Sequence, residues 1–272
     1  MECKIDGVRF AMGEPFDFGF LREFGRVFKV FDDQDSGNIC FGVERNGEKL
    51  FIKFAGAKTR RGRLSPEQAM ANLSATAPVY RDLRHENLVE LLDAAPMGGG
   101  YGMVFRWAEG ECMGRMYPQS RARFMAADVD TRLRVFRDIQ KFFAHVVERG
   151  YVAIDFYDGS VMYDFASGRT TICDIDFFRK QPCVNDMGRM WGSSRFQAPE
   201  EYALGATIDE VTNVYTLGAT AFALFADHRR CPEAWPLGGA SFAVAARATH
   251  PDRKARQGSV GEFMEDWRRA LL

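Results

Sequence analysis

Four charged side chains in this chain sit where their types and spacing could do chemistry. Asp155 follows the apolar run Tyr151-Val152-Ala153-Ile154, where a strand end meets a loop. Further on, Asp174 and Asp176 close the run Thr170-Thr171-Ile172-Cys173. Val161-Met162-Tyr163 and Thr170 to Cys173 read as two strands of a hairpin, because β-formers flank the turn Ala166-Ser167-Gly168. Two apart at a strand end, Asp174 and Asp176 would share one face. Neighbouring carboxylates repel, and the simplest remedy is a cation such as Mg²⁺. Lys53 lies inside the apolar strand Leu50 to Phe54, where an ammonium needs an anionic partner or a path for its head to reach water. Taken singly, each aspartate also fits an ordinary loop acid, since Asp is common at turns.

The order of the pieces narrows the choice. Ala153-Ile154-Asp155-Phe156-Tyr157-Asp158-Gly159-Ser160 is followed by Ile172-Cys173-Asp174-Ile175-Asp176-Phe177-Phe178-Arg179, then by Gly192-Ser193-Ser194-Arg195-Phe196-Gln197-Ala198-Pro199-Glu200. This succession resembles the catalytic half of the protein-kinase family, with its H-R-D-x-x-x-x-N, D-F-G and A-P-E signatures. Ala198-Pro199-Glu200 is the most specific match, and the resemblance runs over nearly the whole chain. It implies a two-lobed α+β fold: a small antiparallel β lobe with one helix over residues 23–108, and a larger, mostly α lobe over 109–272. Residues 1–22 form an N-terminal extension. It further implies ATP and Mg²⁺ as cofactors and transfer of the γ-phosphoryl group to a Ser or Thr hydroxyl on a protein. In that scheme Lys53 binds the phosphates and Asp155 orients the substrate hydroxyl. Nucleotide contacts would also come from Gly37, Ile39, Phe105, Arg106, Trp107 and Ala108. Metal would be held by Asp174, Asp176 and Ser160. Either aspartate can be aligned with the D-F-G acid; Ile172, two before Asp174, suits that buried spot and favours Asp174 as the primary ligand.

The chain also departs from the family pattern. Where G-x-G-x-x-G is expected it reads Asp32-Asp33-Gln34-Asp35-Ser36-Gly37, and three aspartates would repel phosphate. Ala153 and Ile154 replace His and Arg, Tyr157 replaces a lysine, and Ser160 replaces the metal-binding asparagine. The helix glutamate that should pair with Lys53 falls near Thr76, leaving Glu67 as a displaced substitute. Asn213 replaces the aspartate that anchors the catalytic loop. These losses predict a slow enzyme and leave two alternatives: a pseudokinase that serves as a binding or scaffold module, and a small-molecule phosphotransferase. The latter is suggested by similarity of the Gly159-Ser160 loop to that of aminoglycoside phosphotransferases. It is opposed by Glu200 with Arg256, which stand at the family spacing for an ion pair.

Recognisable elements would position these residues. Arg26 to Phe31, Asn38 to Arg45 and Lys49 to Phe54 read as strands, with Asn46-Gly47 as a hairpin turn. Ser65 caps a helix that opens on Pro66 and is interrupted by Pro78. Leu88 to Leu92 and Tyr101 to Phe105 read as two further strands, and His85 as a turn cap. Residues 127–149 form an amphipathic helix that stops at Gly150.

Composition sets the outer bounds. The 272 residues are 46% hydrophobic with a formal net charge of −1, which offers a large core and argues against nucleic-acid or membrane partners. Six cysteines without metal or C-x-x-C spacing read as reduced thiols of a cytoplasmic protein. The polar start does not read as a signal peptide, and the longest apolar run, Val214 to Ala226, is too short to cross a bilayer.

Overall fold

The computed structural model describes residues 1–33 and 36–272; Gln34 and Asp35 of the acidic loop lie outside the described residues. The chain divides into two compact units: residues 1–84 with 89–108, and residues 85–88 with 109–272. The architecture is mixed α and β with antiparallel strand pairing, compatible with an α+β class.

The first unit opens with a hairpin, β1 (Glu2–Ile5) and β2 (Val8–Ala11). Its main sheet holds β3 (Arg26–Phe31), β4 (Ile39–Arg45), β5 (Glu48–Ala55), β6 (Leu91–Met97) and β7 (Gly100–Arg106), in the order β3-β4-β5-β7-β6. Asn46 and Gly47 turn the β4–β5 hairpin with φ of 54° and 81°, the left-handed pair that a two-residue hairpin turn requires. The strand expected at Leu88 to Leu92 begins later, at Leu91. Leu88 instead forms an isolated parallel bridge with Ile172 in the second unit's own segment 85–88. Helix α1 (Pro66–Asp82) starts with a full capping box, Ser65 Oγ accepting from Gln68 N and Gln68 Oε1 from Ser65 N, and continues through Pro78.

One face of this sheet is sealed by the start of the chain. Phe10, Met12, Phe18 and Leu21 are buried with Ile39, Phe41, Ile52 and Phe54 in one apolar cluster. The Phe18 ring lies 5.0 Å from that of Phe41 and 6.1 Å from that of Phe54. The N-terminal residues are therefore part of the core of this unit.

The second unit begins with β8 (Glu111–Cys112) and α2 (Pro118–Met125). Helix α3 (Val129–Glu148) is capped by Asp128, whose Oδ1 accepts from Thr131 N at 2.6 Å. Its buried stripe of Val135, Phe136, Ile139, Phe142, Phe143 and Val146 has helical spacing. Short strands β9 (Tyr151–Val152), β10 (Val161–Asp164), β11 (Arg169–Ile172), β12 (Arg179–Lys180), β13 (Cys183–Val184) and β14 (Thr207–Ile208) brace the loops between them. Helix α4 (Glu210–Ala226) is buried on every side, as befits a helix apolar all round. Helices α5 (Gly239–Ala248) and α6 (Val260–Ala270) complete the unit. No helix among the described residues is long and apolar enough to cross a membrane.

Candidate active site

In the first unit, pairing decides which side chains accompany Lys53. The β4–β5 register sets Cys40 opposite Lys53 and Ile39 opposite Phe54. Directly opposed residues share a face and successive ones alternate. Ile39 thus points away from the Lys53 face and is fully buried under Phe10 and Phe18. Cys40, and not the expected Ile39, is thus the β4 residue beside Lys53. The register could have been read from the turn: with Arg45 facing Glu48 across Asn46-Gly47, counting back places Cys40, not Ile39, at the lysine.

Phe105 does share the Lys53 face, through Phe51↔Phe105 and Lys53↔Met103 in the β5–β7 register. That face carries rings in mutual contact. Phe51 lies 5.6 Å from Phe31 and 6.3 Å from Phe105, and Trp107 lies 5.0 Å from Phe28. The expected adenine-reading backbone at residues 106–108 is partly spent. Arg106 N donates to Glu90 O at 2.9 Å and Trp107 N to Lys49 O at 3.2 Å. The Arg106 side chain is exposed and ion-paired with Glu90 at 2.7 Å. The N–H groups of Arg106 and Trp107 are thus already bonded within the first unit.

The loop that replaces the glycine-rich motif is held by its own unit. Asp32 Oδ2 accepts from Ala11 N at 2.5 Å, and Asp33 pairs with Arg61 at 2.7 Å. Gly37 is buried at φ 83°; a Cβ there would stand 3.1 Å from that of Ala69. Packing against α1 accounts for this glycine without a phosphate. At the place expected for the helix glutamate stands Thr76, its hydroxyl donating to Leu73 O and lying 3.2 Å from the sulfur of Met103, the residue across from Lys53. Glu67 does not substitute. It is exposed, and its carboxylate accepts from Ser65 Oγ at 2.8 Å.

In the second unit, Asp155 and Asp174 stand at the two ends of a short loop–hairpin construction. Both have left-handed backbone, φ 61° and 58°, which non-glycine residues adopt seldom and which clusters at functional sites. The loops that carry them are tied by Cys173 N donating to Ser160 O at 2.9 Å. β11 ends at Ile172, so Asp174 and Asp176 do not share a strand face as expected. Asp176 sits in the turn closed by Phe178 N on Ile175 O, while Ile175 between them is fully buried. Ser160 is also fully buried; its Oγ lies 3.5 Å from Tyr157 N, bracing the loop. Among the described residues no group of three or more His, Cys, Asp or Glu side chains could hold a metal. Two carboxylates do suit Mg²⁺, which keeps most of its shell as water and substrate phosphate.

The residues next to Asp155 in the chain are buried and apolar. Ala153 and Ile154, at the positions of His and Arg, are buried, and Ile154 packs with Val152, Met190 and Ile208. Asn213 still anchors the loop: Oδ1 accepts from Ala153 N at 2.7 Å and Nδ2 donates to Tyr151 O at 3.3 Å. An amide supplies both bonds where a carboxylate could only accept. Tyr157 lies over Gly159, and burial, with the charges of Asp174 and Asp155, pushes its phenol pKa up. Burial likewise pushes the Cys112 thiol up to about 11. Glu201 is 3% exposed; burial, opposed by a hydrogen bond from Ala198 N and assisted by Glu200 and Asp155, raises its carboxyl to about 8. The Glu200–Arg256 pair is present, bidentate at 2.7 and 2.9 Å, with no exposure of the arginine side chain.

A second polar cluster lay beyond the reach of motif matching. The Asp158 carboxylate, 1% exposed, receives Arg121 and Arg195 at 2.8 Å each and approaches His228 Nε2 at 3.3 Å. Burial alone would raise its pKa, but hydrogen bonds from His228 and Arg195 and the nearby guanidinium charges hold it down at about 2.

No family model matches the chain. A curated protein of Arabidopsis thaliana, named "Probable LRR receptor-like serine/threonine-protein kinase", is 25% identical over 195 residues. The match covers 68% of this chain and 18% of that protein, so the chain corresponds to a small part of its relative's length. The likeness is kinase-like and distant.

Proposed function

We propose that this chain is a kinase-like phosphotransferase that moves the γ-phosphoryl group of ATP to a Ser or Thr hydroxyl on a protein, slowly. The observation that carries this reading is the pair of left-handed aspartates, Asp155 and Asp174, on loops joined by the Cys173–Ser160 backbone bond. The name of the Arabidopsis relative points the same way. In this reading Lys53 binds phosphate oxygens, Asp174 with Asp176 holds Mg²⁺, and Asp155 accepts the proton of the attacking hydroxyl. Bound Mg²⁺ neutralises phosphate charge. The contribution of the chain is positioning and fixed electrostatics. Tyr157 and Thr76 leave two charged positions neutral, and each such loss lowers rate on the order of 10²–10³-fold.

A second reading, a non-catalytic kinase-like binding module, is favoured by one specific observation. The N–H groups of Arg106 and Trp107 are already bonded to Glu90 and Lys49. The two readings separate on thermal shift with Mg²⁺ and ATP, followed by incubation with γ-labelled ATP and generic protein substrates. Label transfer by the wild type that is lost in Asp155→Ala supports phosphotransfer. A thermal shift with no transfer supports the binding module, and no shift at all removes nucleotide from both readings.

A further inference from the structure

The stretch after β13, residues 187–197, is tied to the Asp155 loop at two points. Met190 is 2% exposed in the cluster with Ile154, Val152 and Ile208, and its N–H donates to Glu201 O at 2.8 Å. Further on, Arg195 docks on Asp158, Nη1 to Oδ2 at 2.8 Å and Nη2 to Oδ1 at 3.2 Å. Between them the backbone runs against the candidate base. At Gly192, φ 134°, an added Cβ would lie 3.4 Å from Asp155 Oδ1 and 3.3 Å from Gln197 Nε2.

Three elements converge on Asp158: α2, the 187–197 segment and the turn after α4. Arg121 of α2 bonds both Asp158, at 2.8 Å, and Asp227 beyond α4, at 2.5 Å. His228 lies 2.6 Å from Arg195 Nη1, and its ring stands edge-on to Phe196 at 5.3 Å. Asp227 and His228 reach these places through consecutive left-handed residues, φ 49° and 66°, a conformation that persists only where the surroundings over-determine it. Two guanidiniums face two carboxylates, so the charges balance within the protein. At the neighbouring position, where the family pattern has an arginine, the buried Ile154 offers no cation to receive an anion.

Resting on the phosphotransferase reading above, we infer that Arg195 is a positioning residue: docked on Asp158, it holds residues 192–197 against the Asp155 loop with no phosphoryl group on the segment. Arg195 acts through the backbone it carries, not by touching the reacting atoms. A fork-shaped guanidinium is needed because two carboxylate oxygens and the His228 ring are engaged together, and a lysine would reach as a point charge.

The test is hydrogen exchange by mass spectrometry on the full chain: wild type, phosphatase-treated wild type, Arg195→Lys and Arg195→Met. Phosphatase treatment should leave protection over residues 187–197 unchanged. Arg195→Met should exchange there at least ten times faster with α3 and α4 unaltered, and Arg195→Lys should fall between. Where phosphotransfer is measurable, Arg195→Met should lower kcat with little change in KM for nucleotide. Loss of protection after phosphatase treatment overturns the inference, as does a wild-type exchange pattern in Arg195→Met. Should Arg195→Met fail to fold, Arg195→Lys and the phosphatase arm decide the matter. A wild type without phosphotransfer removes the functional reading, and the exchange arms still judge whether Arg195 holds the segment.

Discussion

Glu201 is the group whose chemistry depends most on its surroundings. Buried beside Glu200 and near Asp155, with Ala198 N as its hydrogen-bond donor, it has a carboxyl pKa of about 8 against an ordinary 4.5. The folded protein therefore keeps a proton that the unfolded chain has released between those two values. Because the native state binds more protons in that window, stability falls as pH rises from about 4.5 to about 8. Glu201→Gln keeps an oxygen for Ala198 N and cannot ionise. It should flatten this dependence and gain on the order of 2–4 kcal/mol near pH 8, with little change at pH 4.5. Urea unfolding of both proteins across pH 4.5–8.5 checks this; parallel curves would show that Glu201 ionises normally. Glu200, one residue earlier, has the opposite fate. Burial pushes against its charge, but the bidentate Arg256 outweighs that and holds its pKa below the usual range.

At the scale of elements, the small unit's sheet has two faces with different work. One is sealed by the first residues of the chain, and Ile39 belongs to it. Ile39→Ala should cost about 2–5 kcal/mol, the range for a fully buried aliphatic residue, and leave any nucleotide-induced thermal shift unchanged in size. A variant of near-normal stability that loses the shift would place Ile39 among the binding residues. The other face carries Lys53, Cys40 and the ring cluster around Phe51. In the large unit, α4 does a comparable service from within. It is buried throughout and uses its one asparagine, Asn213, to pin the backbone on either side of Val152. An amide suffices because the groups to be satisfied are one N–H and one C=O.

At the scale of the whole molecule, the six cysteines are all among the described residues and none is in a disulfide. The unfolding midpoint should accordingly be the same within about 1 °C with and without dithiothreitol, where even one structural disulfide would move it by several degrees. Much of the plan was legible beforehand from local rules. Asn46-Gly47 announced its hairpin, Ser65 and Pro66 the start of α1, the stripe from Phe136 to Phe143 the long helix, and Ala198-Pro199-Glu200 with Arg256 the buried ion pair. These are settled by turn chemistry, capping and periodicity, which act over a few residues, or by a motif spacing. Other features were decided only when distant parts of the chain met. Phe10 and Phe18 chose the face for Ile39, Glu90 and Lys49 consumed the N–H groups of Arg106 and Trp107, and α2 and the end of α4 delivered Arg121 and His228 to Asp158. Residue type and neighbourhood fix what a side chain can do, but which hydrogen bonds are already satisfied and which face is covered are long-range facts, set by packing.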